Sequence, residues 1–106
     1  MSKIQGVVGS IDIEQSGDIL RINVTYGNGE GNYIVTDPQR VQKLWLPALS
    51  AGEFDRRRLD TEGSGVEIIK KNKLTYISPK WSGANPDGSQ AIFDRSQVKQ
   101  IKKALK

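Results

Sequence analysis

The stretch Ile11-Asp-Ile-Glu-Gln-Ser-Gly-Asp-Ile-Leu-Arg-Ile-Asn-Val-Thr-Tyr26 decides the fold class. Leu20, Ile22, Val24 and Tyr26 alternate with Arg21, Asn23 and Thr25, the period-two pattern of a strand with one buried face. Ile11 and Ile13 repeat the pattern before Ser16-Gly17, a candidate two-residue turn, so the stretch reads as a β-hairpin. With Ser16-Gly17 as the loop, Ile13 meets Leu20, Ile11 meets Ile22, Gly9 meets Val24 and Val7 meets Tyr26. The same register sets Asp12 opposite Arg21, a favourable cross-strand charge pair. Asp12, Glu14 and Asp18 then read as a solvated carboxylate row and not as a metal site, because a hard cation needs several oxygens converging on one point.

Downstream, Gly27-Asn-Gly-Glu-Gly-Asn32 has the glycine content of a phosphate-cradling loop. Such a loop works because a helix N-terminus follows it, and here Tyr33–Thr36 reads as another strand, so the segment is a hairpin turn. Asp37-Pro38 starts a helix, with Asp as cap and Pro at the first helical position. Val41, Leu44, Trp45 and Ala48 follow at helical spacing and put Trp45 in the core. Pro47 is predicted to end or kink the helix near Leu46, and Gly52 closes the segment.

The second half repeats the strand signal. In Phe54-Asp-Arg-Arg-Arg-Leu59, Arg56 and Arg58 share a face with Phe54, and Arg57 shares one with Leu59. Glu62–Gly65 is a loop. Val66–Lys70 and Lys73–Ser78 form a second hairpin around Lys71-Asn72, with Val66, Ile68 and Ile77 on one side and Ile69, Leu74 and Tyr76 on the other. A hairpin apolar on both sides is covered on both faces or meets a partner. Pro79–Gly88 is dense in turn formers, Asn85-Pro-Asp-Gly88 fits a type I turn, and Trp81 is the one aromatic that periodicity does not explain. Asp94 and Gln97 form a capping box for a C-terminal helix, with Phe93 placed to staple onto Val98. Val98, Ile101 and Leu105 make its buried stripe, and Lys99, Lys102, Lys103 and Lys106 an adjacent basic one. Together these elements predict one α+β domain over residues 1–106. Its expected architecture is a single antiparallel sheet of about five or six strands, with one central and one C-terminal helix packed on one face through Val41, Leu44, Trp45, Val98, Ile101 and Leu105.

Composition removes most chemistry. The 106 residues contain neither Cys nor His, which excludes disulfides, thiolate nucleophiles and the commonest general base and metal ligand. Ser96-Gln-Val-Lys99 has the S-x-x-K spacing without the companion motifs of enzymes that use it. Glu67-Ile-Ile-Lys70 has one residue too many for a carboxylate–lysine nuclease pattern. No catalytic residue, metal or cofactor is expected. Met1–Gly9 lacks the apolar stretch of a secretion signal, and Leu44–Leu49 is too short to span a bilayer, so a soluble cytoplasmic protein with no membrane partner is expected.

Charge is distributed unevenly: residues 1–53 hold four basic and six acidic side chains, residues 54–106 twelve and six, for a formal net charge of +4. The basic half points to a non-enzymatic DNA- or RNA-binding domain of weak or no sequence specificity. Its candidate contacts are Arg56, Arg57, Arg58, Lys70, Lys71, Lys73, Lys80, Lys99, Lys102, Lys103 and Lys106, with Trp81 as a base-stacking surface. The competing expectation is a protein-interaction module (a small inhibitor, an adaptor or a homodimer) that uses the doubly apolar hairpin.

Overall fold

The computed structural model describes residues 2–53, 56–59, 65–79 and 89–106. Its eight strands form two antiparallel sheets of four, each a simple meander. The first contains β1 (Ser2–Gln5), β2 (Ser10–Ser16), β3 (Ile19–Thr25) and β4 (Gly31–Thr36). The second contains β5 (Arg56–Leu59), β6 (Val66–Lys71), β7 (Leu74–Pro79) and β8 (Ala91–Phe93). This overturns the expected single sheet of five or six strands. Alternation gives the first hairpin one apolar face and the second hairpin two. It is silent on whether those faces lie side by side or face to face. Here they converge: Ile11, Ile22, Val24 and Ile34 of the first sheet and Val66, Ile68, Ile77 and Phe93 of the second belong to one buried core. In that shared core the two sheets cover each other's apolar residues, which a single sheet could do only with far more helix.

The two sheets are stitched at one corner. Val7 N–H donates to the Ile92 carbonyl at 2.7 Å and Ile92 N–H returns to Val8 at 2.8 Å, so β8 hooks onto the segment between β1 and β2. That crossing needs glycine. A Cβ at Gly6 would collide with the Ile92 carbonyl, and Gly9, at φ +72°, would collide with that of Thr25.

The first hairpin has the expected buried face but a different turn. Ser16 pairs with Ile19, so Gly17-Asp18 is the loop, with Gly17 at φ +62°. The shift is two residues, which conserves every face and changes every partner. Ile13 therefore meets Ile22 and Ile11 meets Val24, while Asp12 lies opposite Asn23 instead of Arg21. Glu14 is the residue facing Arg21, at 3.9 Å. Val7 is 57% exposed and lies outside the hairpin pairing. Gly27–Glu30 closes the next hairpin through Tyr26 N–H to the Glu30 carbonyl at 2.7 Å and leads into β4.

The central helix runs through residues 38–50 as α1 (Pro38–Arg40), a π-helical turn (Val41–Trp45) and α2 (Leu46–Ser50). Asp37 caps it, its carboxylate accepting the Arg40 N–H at 2.8 Å. Pro47 does not end the helix, which continues to Ser50. A proline in an α-helix clashes with the carbonyl four residues back. The π turn just before it, in which Leu46 N–H reaches the Val41 carbonyl, widens the coil upstream of the ring. Trp45 is fully buried, as its spacing predicts.

The second hairpin turns at Asn72-Lys73, and both faces match expectation: Ile68 pairs with Ile77, and Ile69 with Tyr76. Val66, Ile68 and Ile77 enter the core, while Ile69, Leu74 and Tyr76 are half-buried on the outer face. α3 (Arg95–Leu105) starts at the expected capping box, with Gln97 N–H on Asp94 at 2.8 Å and Asp94 N–H on Gln97 at 2.9 Å. It touches β1, β2, β7, β8 and α2, and so packs against strands of both sheets instead of one face of a single sheet. The radius of gyration, 12.3 Å, matches a compact α+β chain of this length, about 13 Å. Among the described residues no helix is long and apolar enough to cross a membrane. Phe54, the loop at residues 62–64, and Lys80, Trp81 and the turn at residues 85–88 lie outside the described residues.

Candidate anion-binding pocket

Three elements meet where α2 ends. Ser50 and the following Ala51-Gly52-Glu53 form one wall, the β6–β7 turn a second, and the first two turns of α3 a third. The pocket between them has a volume of about 320 Å³. Its apolar lining comes from Leu49, Leu74 and Val98, and five cations line it as well: Lys70, Lys73, Arg95, Lys99 and Lys102. Glu53 is the one carboxylate among the lining residues.

Each cation arrives for a local reason. Lys70 is on the core-side face of β6, opposite Thr75 of β7, and its Nζ donates to Thr75 Oγ1 at 2.8 Å. Arg95, Lys99 and Lys102 follow one another at spacings of four and three, so they share a face of α3. Lys102 Nζ donates to Ser50 Oγ at 3.3 Å, tying that face to the end of α2. Lys73 sits in the turn itself. Asn72 and Lys73 have φ of 54° and 63°, the two consecutive left-handed residues of a type I′ hairpin. Their backbone N–H groups point together at Glu53, whose carboxylate oxygens accept from Asn72 at 2.8 Å and Lys73 at 2.7 Å. Two charge-assisted bonds help hold a non-glycine turn that would otherwise be strained.

Lys70 carries the mark of this crowding. Burial is the main cause that lowers its pKa from the ordinary lysine value; Lys102 and Arg95 lower it further, and Glu53 opposes them. A half-buried ammonium among like charges has a low affinity for its own proton and a high one for an anion.

The other candidates lie elsewhere. Arg56 and Arg58 point to the outer face of the second sheet, where they grip Glu67 from either side: Arg56 Nε is 3.3 Å and Arg58 Nε 3.2 Å from its two oxygens. Arg57 is exposed on the opposite face of β5. Lys71 faces away from Lys70 and is exposed. Lys103 belongs to another surface, beside Ser2, Lys3 and Gln100, and Lys106 is exposed at the helix end. Lys80 and Trp81 lie outside the described residues. Ten of the twelve residues expected to bind are described, and of these the pocket gathers four: Lys70, Lys73, Lys99 and Lys102.

Arg95, Glu53, Ser50 and Thr75 complete the pocket and escape a reading of basic runs. Arg95 was legible, since the 95, 99, 102 spacing makes it the first member of the helical basic stripe. Glu53 was not, because its partners are backbone groups some twenty residues away. Neither a protein-family model nor a curated protein sequence matches this chain.

Proposed function

We propose that the protein is a small non-enzymatic nucleic-acid-binding domain that engages phosphate through the pocket at the start of α3. One observation carries the reading: five cations line one concave surface where, among the described residues, Glu53 is the one carboxylate, and it is already engaged by two backbone N–H groups. Unneutralised positive charge in a partly desolvated pocket favours phosphate, the commonest anion a cell offers on a polymer. With no Cys or His in the sequence, binding without catalysis is the natural use of such a site. Weak or absent sequence specificity follows, because lysines that contact the backbone carry no base information. A cytoplasmic location goes with this reading.

Fluorescence anisotropy of a short labelled single strand, at low and moderate salt, tests it. Affinity is expected to fall with salt at a log–log slope of about −0.7 per phosphate contacted, with about three to five contacts. In Lys70→Gln/Lys102→Gln the slope is expected to become shallower by roughly one to two units. In Arg56→Gln/Arg58→Gln it is expected to stay the same. No binding at low salt and micromolar protein ends the proposal.

A second reading, a protein-interaction surface, is favoured by the outer face of the first sheet. Ile19, Tyr33 and Val35 are 42–53% exposed together along β3 and β4. A mass that stays monomeric over a hundredfold concentration range in sedimentation, with no partner bound, removes that reading.

A further inference from the structure

The shape of the charge is more specific than its sign. A polyanion lying across a protein is matched by cations spread along its path, about one per phosphate. In this pocket the cations converge instead, on a space that holds on the order of ten water molecules. Walls on three sides come from the end of α2, the β6–β7 turn and α3. A phosphate at a strand end can enter such a site from one side, whereas an internal one brings a sugar on each side.

Charge favours the same ligand. An internal phosphodiester brings one negative charge, whereas a phosphomonoester brings about 1.5 to 2 near neutral pH, on three terminal oxygens. Two of the ammonium groups are already held in place by hydroxyls, Lys70 by Thr75 and Lys102 by Ser50, so little side-chain freedom remains to be lost on binding. Leu74, half-buried at the pocket wall, offers a small apolar surface to the carbon face of the attached sugar. Glu53 is turned onto the backbone N–H groups of Asn72 and Lys73.

We propose that the pocket is an end-recognition site that takes the terminal phosphomonoester of a nucleic-acid strand. The proposal rests on the nucleic-acid reading above and narrows it to one chemical group.

The test uses the full chain and one oligonucleotide sequence prepared with a 5′-phosphate, with a 3′-phosphate, and with hydroxyls at both ends, the fluorophore being internal. At moderate salt one phosphorylated form is expected to bind about tenfold more tightly than the hydroxyl form. Lys70→Gln/Lys102→Gln is expected to erase that gain while leaving some salt-sensitive binding. Should this variant fail to melt cooperatively by circular dichroism, Lys102→Gln alone serves, with a gain reduced by about half on a logarithmic scale. Glu53→Gln, which removes the one like charge, is expected to enlarge the gain. Equal binding of all three forms overturns the inference and leaves the proposed function standing; binding of none overturns both. A gain that survives in the double variant moves the site elsewhere and overturns the inference. So does a phosphoserine peptide that competes better than the phosphorylated strand, or inorganic phosphate alone competing as well as a nucleoside monophosphate.

Discussion

Two basic clusters in the second half of the chain have opposite fates. Arg56 and Arg58 sit two residues apart on β5, and the sheet places Glu67 of the neighbouring strand between them. Lys70, Lys73, Arg95, Lys99 and Lys102 come from separate parts of the chain and line one pocket in which, among the described residues, Glu53 is the one carboxylate. The first cluster is conspicuous in sequence and largely neutralised in the fold. The second is scattered in sequence and concentrated in the fold. Basic residues become an anion site only when no carboxylate is positioned to quench them, and strand pairing and helix packing decide that positioning.

The sharpest way to break this contrast is to open the quenched cluster. Glu67 has a side chain only 9% exposed, whereas those of both arginines are 63% exposed. Glu67→Gln is expected to cost about 1–2 kcal/mol of stability, kept modest because water screens the arginines. That corresponds to a fall in Tm of roughly 5–10 °C in a thermal melt. The same variant frees two guanidinium groups and should steepen the salt dependence of oligonucleotide binding by about one unit. An unchanged Tm would mean that Glu67 does not hold the arginines in solution.

A smaller change separates charge from fold within the pocket. Lys73 at φ 63° is in a conformation that glycine adopts more easily. Lys73→Gly is expected to raise stability by about 0.5 kcal/mol while weakening oligonucleotide binding by roughly threefold. If stability and affinity move in the same direction, the turn and the pocket are not separable in this way.

The smallest effect concerns pH. The folded state lowers the pKa of Lys70, so its charge opposes folding fully below the folded value, and the opposition fades as pH rises toward the ordinary lysine value. Lys70→Met should therefore melt slightly above the natural protein at neutral pH, with the gap closing as pH approaches about 10. A gap that widens with pH would show that the crowding at Lys70 is relieved in solution.

Much of the local structure was legible. The capping box of Asp94 and Gln97, the Asp37 cap and the buried faces of both hairpins follow from nearest-neighbour physics: a side chain that bonds its own backbone, or an alternation that one face must bury. The exact turn of the first hairpin was not. Ser16-Gly17 and Gly17-Asp18 leave the same residues inside, and the apolar pattern does not choose between registers two residues apart. Of the two outcomes expected at Pro47, an end or a kink near Leu46, the first does not occur: the helix continues to Ser50 after a π turn, and nothing local to the proline announces that turn.

The residue types by themselves determined that this protein has strands with defined apolar faces, two capped helices, an excess of positive charge in its second half and no Cys or His. Those properties depend on each residue and its immediate neighbours. Only the tertiary structure decided that the strands form two sheets facing each other, that Arg56 and Arg58 are matched by Glu67, and that Lys70 shares a pocket with Arg95 and Lys102. Coulomb interaction and desolvation depend on distance through space, and chain order says little about that distance until the core has packed.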